Sequence, residues 1–225
     1  MSSFRSRVSA VLLMVTLAGV VASNAGDRAG ATVPNPAVDA TLATAKGQQT
    51  AVIAGGCFWG IQAVFQHVKG VISATSGYSG GAVGTAEYEL VSNGDTGHAE
   101  SVKITYDPSQ ITYGQLLRVF FSVAHDPTQL NRQGPDTGSQ YRSSIFYGTD
   151  EQKRIAEAYI AQLEKDKVFP RPIVTQVVPL KVFYPAEAYH QDYAAHHPDN
   201  LYIVYNDAPK VAHLRQRFPD LYTAK

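Results

Sequence analysis

The sequence predicts an α+β fold: a mixed, largely antiparallel sheet covered by helices, on a ferredoxin-like split βαβ core. Three observations lead there. Short β-branched runs alternate with stretches of helical periodicity in a βα–ββ–α–β–α order. Two of the strands follow each other closely enough to pair as neighbours. A 225-residue chain with 44% hydrophobic residues can also bury a sizeable core in one or two domains.

The first strand is QTAVIAG (49–55), a β-branched apolar run ending in glycine. From Cys57 onward the period changes. Phe58, Ile61, Val64, Phe65 and Val68 recur at helical spacing, and Gly70 closes the helix. The glycines of GGCFWG (55–60) therefore make a strand-to-helix turn that leaves Cys57 at the first turn of the helix. GVISATSGYSGG (70–81) reads as a strand entering a glycine-rich loop. AESVKITYD (99–107) alternates, with Val102, Ile104 and Tyr106 on one face and Lys103 and Thr105 on the other, until Pro108 ends it. ITYGQLLRVFFSVAH (111–125) is an amphipathic helix, residues 125–140 a long polar loop, and YRSSIFYG (141–148) another strand. Thr149 and Asp150 offer N-caps to a charged helix over 151–168. IVTQVVPLKVFYP (173–185) supplies a last strand broken at Pro179, and AEAYHQDYAAHH (186–197) a short helix.

Before this domain, Arg5 and Arg7 precede the apolar run 8–22 and the small residues SNA (23–25), the pattern of a secretory signal peptide over residues 1–25. The run falls short of the roughly 20 apolar residues that span a bilayer, so no stable membrane span is expected after cleavage. An uncleaved anchor is the alternative. Residues 26–48 lack periodic apolar residues and read as a flexible linker, with the folded domain over 49–225. The expected location is secreted or periplasmic, and the expected state a monomer.

Nineteen basic residues balance nineteen acidic ones, so no global field favours nucleic acid or an anionic surface. GYSGGAVG (77–84) lacks the lysine and following helix of a phosphate-binding loop. His190, Asp192, His196 and His197 match no standard zinc spacing, and no metal is expected.

Cys57 is the single cysteine, so it cannot form an internal bridge. It is either a small buried hydrophobe or a working thiol that needs an external partner. The helix N-terminus would stabilise a thiolate, Gly55 and Gly56 would leave the sulfur open to a substrate, and Phe58 and Trp59 would wall it. A Cys/His acyl-transfer enzyme would require a base from His98, His125 or His190, and a non-catalytic thiol sensor is a further alternative.

GGCFWG (55–60), GYSGG (77–81), EYELVSNGDTGHAESVKITYDP (87–108), HDPTQLNRQGPDTGSQYRSSIFY (125–147) and FYPAEAYHQDY (183–193) occur in that order. Together they resemble the A-class peptide methionine sulfoxide reductases over about residues 50–205. The resemblance implies an α+β oxidoreductase that reduces the S-epimer of methionine sulfoxide, free or in oxidised proteins, as protein repair under oxidative stress. It implies that Cys57 is the nucleophile, which becomes a sulfenic acid, and that Glu100 is the acid protonating the sulfoxide oxygen. Phe58 and Trp59 would hold the substrate methyl group. Tyr88 and Tyr141 would bond the oxygen, and Asp136 would order the pocket. Many members carry resolving cysteines near the C-terminus, and residues 196–225 contain none. The chain therefore resembles the single-cysteine branch, with no cofactor. Recycling would fall to an external thiol: a thioredoxin-like or glutaredoxin-like protein, or in the test tube dithiothreitol.

Overall fold

The computed structural model describes residues 33–224. The expected signal peptide, and positions 26–32 of the expected linker, lie outside the described residues. Strand β1 (Gln49–Ala54) turns into helix α1 (Phe58–Gln66) and strand β2 (Val71–Ser79). The short helix α2 (Tyr88–Val91) then precedes β3 (Ala99–Tyr106), which pairs antiparallel with both β1 and β2. β1 and β2 thus run parallel with β3 inserted between them, the split βαβ unit expected.

Helix α3 (Tyr113–Val119) continues through a π-helical turn, Phe120–Ala124. A small hairpin of β4 (Arg132–Gln133) and β5 (Asp136–Thr137) then leads to β6 (Ser144–Tyr147), antiparallel to β1. The order β6-β1-β3-β2 is the ferredoxin-like arrangement. Helix α4 (Asp150–Lys165), whose first turn is capped by the Thr149 side chain, crosses over to β7 (Gln176–Pro179), parallel to β6. Strand β8 (Phe183–Pro185) pairs with β2 at the far edge.

The complete order is β7-β6-β1-β3-β2-β8. Flat, six strands would hold their edges roughly 24 Å apart. The four Cα steps from Pro179 to Phe183 reach at most about 15 Å. The sheet must therefore curl, and the break at Pro179 is where the chain leaves one edge for the other. The curl explains why β1 is apolar on both faces. Ala51 and Ile53 join the main core under the helices, with Val102, Ile104 and Ile145. Val52 and Ala54 pack inside the curl with Ala99 and Phe146, closed over by Val178, Leu180 and Phe183.

The C-terminal segment grips α1 at both ends. Helix α5 (Tyr193–His196), the π-helical turn Ile203–Asp207 and helix α6 (Ala208–Arg217) lie along it. At its end Lys69 N donates to the Leu221 carbonyl at 2.7 Å, and Thr223 N to the His67 carbonyl at 2.9 Å. No helix among the described residues is long and apolar enough to cross a membrane.

Positions 33–48, expected to continue a flexible linker, lie instead along α3 and α4 with specific contacts. Arg118 Nε donates to the Val33 carbonyl at 3.0 Å, and the Tyr159 hydroxyl to the Pro34 carbonyl at 2.7 Å. Asp39 accepts from Thr112 Oγ1 at 2.5 Å and from Gly114 N at 2.8 Å, at the N-terminus of α3. Only Val33 of this stretch is buried, so polar bonds hold it and hydrophobic periodicity carries no trace of them. Asp39→Ala should lower folding stability by about 1–2 kcal/mol. Urea unfolding measures this, and an unchanged midpoint would show that the contacts contribute nothing.

Candidate active site

The turn at Gly55 and Gly56 is built for protein side chains. Gly56 has φ +102, and a Cβ there would lie 2.5 Å from Gln133 Cγ. A Cβ on Gly55 would lie 2.9 Å from the His125 ring. The expectation that these glycines open the sulfur to substrate is corrected: His125 and Gln133 occupy that space.

Cys57 is the N-cap residue of α1 and only 8% exposed. The next N–H, of Phe58, donates to Glu100 Oε2 at 3.0 Å. Glu100 lies near the start of β3, opposite Tyr78 of β2, and is 2% exposed. Burial pushes its carboxyl up to about 8, with Asp136 and Asp207 adding to the rise and the Phe58 N–H opposing it. Glu100 therefore holds its proton at neutral pH. Burial also raises the Cys57 thiol well above its ordinary value, and the acidic groups of Glu100 and Asp207 nearby raise it further. The Trp59 N–H and Lys210 pull the other way. The resting group is thus a thiol, contrary to the thiolate expected from the helix N-terminus. The Phe58 N–H is already given to Glu100, and desolvation outweighs the dipole's remainder.

The other expected site residues converge here. Phe58 is fully buried, its ring 5.8 Å from Tyr78 and 5.1 Å from His190, so it forms the floor. Trp59 is half-buried and held on three sides. It stacks on Tyr193 at 3.8 Å and 9°, meets Tyr202 edge-on at 6.0 Å, and donates from Nε1 to His190 Nδ1 at 3.2 Å. Tyr88 packs on the His190 ring at 4.4 Å. Burial raises the Tyr88 hydroxyl, and the nearby acid Glu100 and thiol Cys57 raise it further. The same three causes act on Tyr141, together with Asp136. Both hydroxyls thus stay neutral donors within the field of the acid and the sulfur. Asp136, on β5, accepts a short hydrogen bond from the Tyr202 hydroxyl.

The three histidines considered as bases for Cys57 are engaged elsewhere. Both ring nitrogens of His98 meet the Gly81–Ala82 backbone, at 3.2 and 3.0 Å. Those of His125 meet the Phe120 carbonyl and Ser143 Oγ, and burial lowers this ring to about 4. His190 Nδ1 takes the indole N–H, and its Nε2 faces Glu187 Oε2 at 4.0 Å. Among the described residues, no group of three or more His, Cys, Asp or Glu could hold a metal ion.

Sequence reasoning missed the residues that frame this site from the C-terminal side. Glu187 accepts from the Tyr78 hydroxyl and from the Tyr88 N–H, each at 2.8 Å, fixing α2 against the sheet. Gln191 bonds both the N–H and the carbonyl of Ser76, at 2.9 and 3.0 Å, extending the β2 edge with a side-chain amide. Tyr193, Tyr202, Asp207 and Lys210 also belong to this frame. The segment FYPAEAYHQDY (183–193) pointed to Glu187, Gln191 and Tyr193 without giving them roles; Tyr202, Asp207 and Lys210 sit in a tail that carried no such signal.

Glu100 makes a signed prediction. Its carboxyl titrates near 8 when folded against an ordinary 4.5, so the folded state binds more protons than the unfolded between those values. Stability then falls as pH rises through that window. Glu100→Gln should remove the fall, its unfolding free energy gaining on wild type from about pH 5 to pH 8 by at most about 5 kcal/mol. Parallel urea curves for the two proteins would refute the raised titration.

A family model described as peptide methionine sulfoxide reductase matches residues 49–221. The chain is 65% identical over 181 residues to peptide methionine sulfoxide reductase MsrA 2 of Mesorhizobium japonicum, covering 80% of this chain and 93% of the relative. It is 51% identical to MsrA 2 of Synechocystis, covering 86% and 91% respectively. Among solved structures it resembles Mxr1 of Saccharomyces cerevisiae in reduced form, with TM-score 0.61, 32% identity and coverage of 72% and 91%. It also resembles methionine sulfoxide reductase A of Corynebacterium diphtheriae, with TM-score 0.58, 35% identity and coverage of 75% and 85%.

Proposed function

The chain belongs to the peptide methionine sulfoxide reductase family and is an oxidoreductase that reduces methionine sulfoxide to methionine, and we propose that it acts on the S-epimer through Cys57 and Glu100. The observation that carries this is the buried carboxyl of Glu100, kept protonated one hydrogen bond away from the turn that bears the only sulfhydryl. A sulfoxide sulfur is a poor electrophile until its oxygen accepts a proton. Glu100 supplies that proton, while the Tyr88 and Tyr141 hydroxyls bond the same oxygen. The methyl group lies against Trp59 and Phe58.

As the oxygen gains its proton, positive charge develops on the substrate sulfur and favours loss of the thiol proton. That proton returns to Glu100. The Cys57 sulfur supplies two electrons, the oxygen passes to it, and the S–O bond of the substrate breaks. Cys57–SH and a sulfoxide become Cys57–SOH and a thioether, with atoms and electrons balanced. With no second cysteine, recycling falls to an external thiol, a thioredoxin-like or glutaredoxin-like protein. The substrate is methionine sulfoxide in oxidised proteins of a secreted or periplasmic compartment, consistent with the basic and apolar N-terminus.

Two outcomes test this. Cys57→Ser should abolish methionine sulfoxide reduction with dithiothreitol, and retained turnover would end the proposal. Glu100→Gln should slow sulfenic acid formation roughly 100-fold or more. Wild-type rate should fall above about pH 8, where the acid loses its proton; a variant with wild-type rate and pH profile would refute the acid role.

A further inference from the structure

Asp207 stands at the N-cap position of α6, where an aspartate ordinarily accepts an N–H from the first turn of its helix. It makes no such bond. Its side chain is fully buried, with Oδ1 accepting from Lys210 Nζ at 3.0 Å and Oδ2 left without a hydrogen-bond partner. Both groups lean on the first turn of α1. A Cβ built on Gly60 would lie 2.1 Å from Asp207 Oδ1 and 2.8 Å from Lys210 Nζ. The bare Cα of Gly60 thus admits an ion pair of a buried carboxylate and a partly buried ammonium three residues after Cys57. Such a pair, with one carboxylate oxygen unsatisfied, costs stability compared with apolar packing.

The charges around the sulfur come from several elements. Glu100 approaches from β3, and Asp207 and Lys210 from the C-terminal segment; Asp207 raises the thiol and Lys210, a cation, opposes it more weakly. The hydroxyls of Tyr88, Tyr141 and Tyr202 share the field of Cys57. Asp136 adds to the negative field at Glu100 and Asp207.

We propose that Asp207 and Lys210 are positioning residues for Cys57: Lys210 supplies the ammonium that steadies the Cys57 thiolate, and Asp207 anchors that ammonium against Gly60 and tempers its field. The proposal rests on Cys57 being the reacting thiol. A thiolate arises twice in the cycle. It is the attacking form on the sulfoxide. It is also the leaving group during recycling. There one external thiol converts Cys57–SOH to a mixed disulfide with release of water, and a second attacks the outer sulfur. That attack releases the Cys57 thiolate and yields the external disulfide, and the proton of the second thiol returns to Cys57.

Alkylation of Cys57 by iodoacetamide in the full chain, followed by mass spectrometry between about pH 6 and 10, reads the thiolate without needing turnover. Lys210→Met should slow alkylation at about pH 8 by roughly three- to tenfold, while Lys210→Arg keeps the wild-type profile. Asp207→Asn should do the opposite, speeding alkylation by a similar factor. A purely structural pair would shift both single variants in the same direction. That result, or Lys210→Arg behaving as Lys210→Met, overturns the proposal. Because no sulfoxide is present, these shifts stand or fall independently of whether the wild type reduces methionine sulfoxide.

Discussion

One hydrogen bond organises the site: the Phe58 N–H at the start of α1 donates to the Glu100 carboxyl near the start of β3, 3.0 Å away and 42 positions later in sequence. The split βαβ core makes it possible. Inserting β3 between β1 and β2 sets its first residues beside the helix that joins those two strands. The N-terminal turn of α1 and the Glu100 side chain are then brought together by sheet register, with no loop left to chance. The curl of the sheet supports the same geometry from below, because it buries both faces of β1, the strand that delivers the turn.

Burial decides the chemistry. At the surface, a carboxyl and a thiol beside a helix N-terminus would both tend toward their charged forms. Here desolvation is the largest influence on each, and it favours both protons. The resting site is a neutral acid beside a neutral thiol, so the two do not repel and both can be kept out of water. The Tyr88 and Tyr141 hydroxyls, raised by burial, add neutral donors to the same site. The stability given up by burying Glu100 and Asp207 is offset by a large aromatic and aliphatic core.

Much of this was legible in the sequence, for physical reasons that differ by element. The period change at Cys57 marks α1, the alternation of Val102, Ile104 and Tyr106 marks β3, and Thr149 marks the start of α4, because each follows from local burial or capping. The convergence of Cys57, Glu100, Tyr88, Tyr141 and Asp136 was legible only through resemblance, since nothing local ties a strand carboxylate to a distant helix. Other features depend on tertiary placement and left no pattern. The glycines of the turn face His125 and Gln133, the Cys57 proton is set by desolvation, and positions 33–48 are held by polar bonds. Asp207 carried no signal in the sequence, and its place against Gly60 is set by the approach of α6.

The central claim is that Glu100 is a protonated acid at neutral pH because the fold buries it. Carbon-13 NMR titration of the Glu100 side-chain carboxyl, assigned by comparison with Glu100→Gln, measures this directly. The account predicts a midpoint near 8. A midpoint close to 4.5, the ordinary value for a glutamate, would contradict it.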